Sequence, residues 1–255
     1  MRTALAALER LEWQGDRVLL DDLVFRLGDV QHGEPDAAAD CFDLKKPQPI
    51  VNEYHDLFAA HPGFQPQQIF ELGIWDGGST AFWFELFDPL KHVAVDLLPR
   101  EDSDYFKRYV ASRNAADRIA TYWSTDQSDK ERLREIVGES FDGPLDLVID
   151  DASHLYGPTK ASFEALFPLL ASGGLYVVED WPWGHLRMYR EPEHPWADET
   201  SLTELVLELV RALGSAPGVI RRVHVYFAFV VVERGSAEIS DPTAFSLDEL
   251  VASMR

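Results

Sequence analysis

The sequence predicts an α/β protein: a doubly wound, seven-stranded, mostly parallel sheet with a reversed C-terminal strand, preceded by a small N-terminal helical appendage. Three observations carry this. From Gln68 onward, strand-like and helix-like patterns alternate, which implies parallel strands joined by right-handed crossovers. The strand-like runs are short and nearly all apolar, as in sheets covered on both faces. The last two, at 219–226 and 229–233, have almost no residues between them, and so short a link permits only an antiparallel hairpin.

Residues 1 to about 50 stand apart. Helical patterns at 5–13 and 19–27 lead into the polar stretch Gly33-Glu34-Pro35-Asp36. So short a region buries little, so it reads as an appendage, a cap or an oligomer interface, on a main domain at 51–255. Strands are expected at 68–72, 92–97, 119–123, 145–149 and 175–178, with helices at 79–87, 102–112, 130–137 and 160–170. A helix at 201–213 then precedes the closing hairpin. The stretch 181–200, with three Trp, three Pro and two His, is too irregular for a strand or a long helix. It reads as a loop over the functional edge of the sheet.

The bulk properties narrow the function classes. A 255-residue chain that is 46% hydrophobic has ample material for a packed core. Its net charge of −21 argues against wrapping nucleic acid or an anionic membrane, since both need clustered Lys and Arg. A small-molecule partner fits better. The single Cys41 excludes an internal disulfide framework and fits a reducing cytoplasm. The start, Met1-Arg2-Thr3-Ala4-Leu5, has no long apolar region, so no signal peptide is expected. No apolar stretch approaches the roughly 20 residues of a membrane-spanning helix.

The chemistry concentrates at strand ends. Leu145-Asp146-Leu147-Val148-Ile149 runs into Asp150-Asp151-Ala152-Ser153-His154, and Leu175-Tyr176-Val177-Val178 runs into Glu179-Asp180. Carboxyl ends of strands are where ligands bind in open α/β sheets. Acidic groups converging there repel one another unless a cation or shared protons compensate. Either acidic pair alone reads as a helix cap or a solvated loop. Both together, with His154 beside them, point to a divalent cation. Upstream, Glu71-Leu72-Gly73-Ile74-Trp75-Asp76-Gly77-Gly78-Ser79 ends the first strand and opens a helix, a turn suited to close ligand approach. The spacing is neither the dinucleotide fingerprint nor a P-loop. Asp96 ends the second strand about twenty residues later, where such folds bind ribose hydroxyls; alternatively it caps a helix.

Glycine turn and acid together resemble class I S-adenosylmethionine-dependent methyltransferases, with their Rossmann-like sheet and reversed final hairpin. Within that class, the run Val148 to His154, Phe163, the run Leu166 to Leu170, and Gly173-Gly174 through Asp180 resemble the metal-dependent sugar O-methyltransferases of macrolide and related antibiotic biosynthesis, of the mycinamicin and tylosin type. The resemblance implies that Glu71, Gly73, Gly77, Gly78 and Ser79 surround the methionine part of the cofactor and that Asp96 binds its ribose. It places Asp126 and Gln127 near the adenine, although that segment also reads as a helix-capping turn. Asp150 is set on the cofactor side. The implied ligands of magnesium are Asp151, Glu179 and Asp180, and His154 is the implied general base. Ala152 departs from the glycine common at that position. Trp181, Trp183 and His185 either line an acceptor pocket or pack the loop down.

The expected function is therefore S-adenosylmethionine- and Mg2+-dependent O-methylation of a sugar hydroxyl on a glycosylated natural product, by a cytoplasmic enzyme expected to form a homo-oligomer. A catechol-type O-methyltransferase is the near alternative. A nicotinamide-dependent oxidoreductase and a non-catalytic cofactor-binding protein are alternatives of other classes.

Overall fold

The computed structural model of the chain describes residues 4–27 and 41–252. The polar stretch around Gly33 lies outside the described residues. Elements follow in the order α1 (Ala4–Leu8), β1 (Glu12–Gln14), β2 (Arg17–Leu20), β3 (Leu23–Arg26), β4 (Phe42–Asp43) and α2 (Gln48–Ala60). The main sheet then begins with β5 (Gln68–Leu72), α3 (Gly78–Phe87), β6 (Lys91–Val95), α4 (Asp104–Ser112), β7 (Ile119–Tyr122), α5 (Lys130–Ser140), β8 (Leu145–Asp150), α6 (Tyr156–Leu166) and β9 (Leu170–Glu179). It closes with α7 (Leu202–Ser215), β10 (Ile220–Val225), β11 (Phe229–Arg234) and α8 (Leu247–Ala252).

The main sheet has the order β10-β11-β9-β8-β5-β6-β7, and β11 pairs antiparallel with both β9 and β10. The other pairings are parallel. Strand order reverses between β5 and β8, so the carboxyl ends of these two strands flank the crevice where such sheets bind ligands. Alternate strand residues serve opposite faces. Ile69, Leu147, Ile149, Leu175 and Val177 join one apolar core with α2 and α3. Phe70, Leu72, Val148, Tyr176 and Val178 join another with α5, α6 and α7. Cover on both faces is why these strands read as continuous apolar runs.

Three expectations are corrected. The helical pattern at 19–27 is a pair of strands: β2 and β3 form a hairpin with Leu20 paired to Leu23. Burial there alternates, with Val18, Leu20, Leu23 and Phe25 inside, and Asp21 takes a positive φ of 55° in the two-residue turn. A dense apolar run fits both a period of 2 and one of 3.6, and the Asp-Asp turn decides between them. The first helix ends at Leu8, and β1 follows it. The N-terminal region is thus largely a four-stranded sheet, β1-β2-β3-β4, whose buried side chains share the core of α2, α3 and β5. Finally, the helix expected to reach residue 170 ends at Leu166; Pro168 has no N–H for a helical bond, and a single 3-10 turn leads into β9.

Candidate active site

The glycine turn is shaped by what packs on it. Gly73 has φ +101°, and a Cβ there would lie 2.3 Å from the carbonyl oxygen of Asp151. The turn after β5 and the loop after β8 therefore touch through backbone, which only glycine permits. A Cβ on Gly78 would lie 2.1 Å from the carbonyl oxygen of Asp43, so the segment after β3 lies against the same turn. Gly77 caps α3, and Ser79 sits half-buried in its first turn. Asp76 accepts from the backbone N–H groups of Asp43 (2.7 Å) and Gly78 (2.9 Å), and burial pushes its carboxyl up to about 6.

Several predicted cofactor residues are engaged by the chain itself. Glu71 is fully buried beneath the turn; Oε2 accepts from Thr80 Oγ1 at 2.7 Å and lies 3.0 Å from His92 Nε2. Asp96 caps no helix. Its carboxylate accepts backbone N–H groups of Ile74, Trp75 and Leu98 at 2.9 to 3.0 Å and so braces the glycine turn. Gln127 is buried and bridges Asp150 to the backbone N–H of Ser153. Asp126 is exposed and accepts from the N–H and hydroxyl of Ser128, while Asp129 caps α5. Asp150 is buried among Gln127, Ser162 and Tyr176, with Ser162 Oγ donating at 2.6 Å and Tyr176 OH at 3.2 Å. Burial pushes its carboxyl up to about 6 despite these donors.

The acidic centre is arranged differently. His154 Nε2 stands 3.8 Å from Asp151 Oδ1 and 3.8 Å from Asp180 Oδ2. Oxygen and nitrogen atoms of these three residues lie within 4.8 Å of one another; the two carboxylates suit a hard divalent cation, and the imidazole stands beside them as a proton acceptor. His154 and Asp180 both hold positive φ, 55° and 54°. Asp and His tolerate this left-handed backbone better than most side chains, and here tertiary hydrogen bonds hold it. Here Trp183 Nε1 donates to the His154 carbonyl at 2.8 Å, and the Asp180 N–H donates to Ala228 O at 2.7 Å.

Glu179 is nearly dry, and both its oxygens have partners. Lys46 Nζ donates to Oε2 at 2.5 Å and also to Asp151 Oδ2 at 2.7 Å; Tyr54 OH donates to Oε1 at 2.6 Å. Burial, then Asp151, pushes the Glu179 carboxyl up to about 8 against the pull of Lys46 and Tyr54. Burial opposes the Lys46 charge, but Asp151 and Glu179 raise its pKa above the ordinary value. Among the described residues, Glu179 stands outside the cluster of Asp151, His154 and Asp180 and is joined to it through Lys46, which it shares with Asp151.

Lys46, Tyr54 and Asp76 were not anticipated from the sequence. The available signals were the Lys45-Lys46 pair in a strongly acidic chain and the Val51, Tyr54, Leu57, Phe58 face of α2, all buried. Over the centre, the 181–200 stretch holds two short 3-10 turns, Trp181–His185 and Arg187–Arg190, and otherwise irregular chain, with neither a strand nor a long helix. Trp183 is buried against Tyr189 and Trp196, and Arg190 lies 5.0 Å over its ring. Trp181 Nε1 donates to Tyr226 O, and His185 meets Thr203 Oγ1 at 2.8 Å on the exposed side. For Trp183 the packing reading holds.

Fold and centre together define an α/β domain with a carboxylate–histidine cluster beside the switch point of its sheet. Residues 70–181 match the family model described as a methyltransferase domain. Among curated proteins, the chain is 35% identical over 135 residues to 8-demethyl-8-(2-methoxy-alpha-L-rhamnosyl)-tetracenomycin-C 3′-O-methyltransferase of Streptomyces olivaceus, covering 50% of this chain and 30% of that one. It is 29% identical over 191 residues to mycinamicin VI 2″-O-methyltransferase of Micromonospora griseorubida, covering 67% and 44%. Among solved structures, it resembles MycE methyltransferase in complex with Mg, SAH and mycinamycin VI, with a TM-score of 0.54 and 27% identity over 75% of this chain and 52% of that one. The O-methyltransferase TomG of Streptomyces achromogenes shares the fold, with a TM-score of 0.54 at 17% identity over 77% and 84%. The chain thus spans less than half the length of these two curated relatives. Among the described residues, no helix is long and apolar enough to cross a membrane.

Proposed function

We propose that the chain is an S-adenosylmethionine- and magnesium-dependent O-methyltransferase acting on a sugar hydroxyl of a glycosylated natural product. One observation carries the reading. Asp151 and Asp180 converge on His154 Nε2, each at 3.8 Å, bringing the ends of β8 and β9 together beside the glycine turn on which the loop after β8 packs. The printed activities of the tetracenomycin and mycinamicin relatives, all O-methylations of glycosylated compounds, support it.

Asp151 and Asp180, with Glu179 as a third carboxylate, would hold the magnesium ion. When bound, that ion would acidify an acceptor hydroxyl, and the methyl donor would supply a methyl already activated by its sulfonium. His154 accepts the hydroxyl proton at Nε2. Lys46 and Tyr54 keep Glu179 oriented. The glycine turn, braced by Asp96, gives the methyl donor a backbone-lined seat, and the lone pairs left on Asp96 suit ribose hydroxyls.

The test is transfer of labelled methyl to a panel of deoxysugar-bearing macrolides, rhamnosylated aromatic polyketides and simple catechols, with magnesium or with excess EDTA. Methylation of glycosides that stops in EDTA is expected. Turnover of catechols alone would overturn the sugar assignment. Undiminished turnover in EDTA would overturn the metal.

A further inference from the structure

We propose that Lys45 is the counter-ion for the carboxylate of the methyl donor's amino-acid half, and so selects adenosine cofactors that carry that half. This rests on the methyl-transfer reading above. The chain around Lys45 runs from the glycine turn to the acidic centre. On one side, the Asp43 N–H donates to Asp76 in the turn at 2.7 Å. On the other, Lys46 reaches Asp151 and Glu179 at 2.7 and 2.5 Å. Lys45 therefore sits between the place a nucleoside cofactor would rest and the place a methyl would move.

The two neighbouring lysines are used differently. Lys46 is fully buried and holds two carboxylates. Lys45 is half-buried, and its Nζ lies 3.5 Å from the centroid of the Trp75 ring, within the glycine turn. Among the described residues, its ammonium has no carboxylate within 4.0 Å. A π face orients an ammonium and attracts it, yet leaves its N–H donors for another acceptor.

Charge supplies the second half of the argument. With a net charge of −21, the chain as a whole repels a carboxylate, so an anionic ligand group needs a dedicated cation close by. The methyl donor carries a carboxylate beside an ammonium at the end of its amino-acid chain and a sulfonium at its reacting centre, so its carboxylate is its one anionic group. Lys45 beside the turn and the aspartates of the centre match those two signs in that order. Burial lowers the Lys45 pKa, opposed by Asp151, Asp43 and Asp76 at longer range, as expected of an ammonium without a contacting anion.

The experiment is calorimetric titration of the wild type, Lys45→Met and Lys45→Arg with S-adenosylhomocysteine and with 5′-methylthioadenosine, which has the same nucleoside but no amino-acid half. Methionine keeps an apolar stem over Trp75. Lys45→Met is expected to weaken S-adenosylhomocysteine by about 10- to 100-fold, the range for a hydrogen bond to a charged group, and to leave methylthioadenosine unchanged. Lys45→Arg is expected to recover most of the loss. Unchanged S-adenosylhomocysteine affinity in Lys45→Met would overturn the proposal. Equal weakening of both ligands would also overturn it, since Lys45 would then only shape the turn. If the wild type bound neither ligand, the methyl-donor reading itself would fall, and this proposal with it.

Discussion

Four aspartates stand at carboxyl ends of strands on one edge of the sheet, and they fall into two pairs. Asp96 and Asp150 each take three donors from the chain. Three backbone N–H groups meet the first, and Gln127, Ser162 and Tyr176 meet the second. Asp151 and Asp180 instead face His154 at 3.8 Å, too far for a hydrogen bond; Asp151 takes the Lys46 ammonium on Oδ2 at 2.7 Å but turns Oδ1 to His154, and the Asp180 side chain is 54% exposed. The first pair holds loops in place, and the second keeps Asp151 Oδ1 and the Asp180 carboxylate turned toward His154 at 3.8 Å, with Lys46 on the far oxygen of Asp151. The contrast teaches that position at a strand end does not by itself make a carboxylate catalytic; how many donors the chain brings to it, and whether it faces His154, distinguish the two pairs.

The contrast breaks first at His154. His154→Ala is expected to lower turnover by about 10²- to 10⁴-fold while S-adenosylhomocysteine affinity stays the same. Steady-state kinetics beside calorimetry read both, and an unchanged rate would remove His154 from the mechanism. Next is Lys46. Lys46→Met leaves Glu179 buried without its ammonium and is expected to cost about 3 kcal/mol in denaturant unfolding. Adding Glu179→Gln should recover part of that loss, and a double-mutant cycle showing no coupling would contradict the pairing.

Asp150 tests the first pair through pH. Its carboxyl is raised from an ordinary 3.8 to about 6 by burial, so the native state keeps the proton longer than the unfolded chain does. The stability this gives is present below about pH 4 and is lost as pH rises through 6. Asp150→Asn removes the penalty on the charged form. Its stability relative to wild type should therefore rise between pH 4 and pH 7.5, by about 3 kcal/mol at most. A difference that stays constant with pH would show that ionisation of Asp150 costs the fold nothing.

The main sheet was legible because its strands are buried on both faces and bounded by turns; β5 falls on the expected residues 68–72. His154 and the acidic pairs were legible because consecutive acids after an apolar run are conspicuous. Two things hid the rest. The β2–β3 hairpin is too short and too apolar to display its period. Lys46 and Tyr54 lie 105 and 125 residues in sequence from their partners Asp151 and Glu179, a juxtaposition that only the packing of α2 on the sheet creates. The division of labour among the aspartates was hidden for the same reason, since Asp96 and Asp151 differ in which backbone and side-chain donors reach them rather than in local sequence.

The most direct test of the second pair is the binding of Mn2+, a paramagnetic substitute for magnesium, followed by electron paramagnetic resonance. Wild type and Asp150→Asn should each bind one ion. The Asp151→Asn/Asp180→Asn double variant should bind none while remaining folded. Mn2+ bound equally well by the double variant would contradict the assignment of Asp151 and Asp180 as the cation's site.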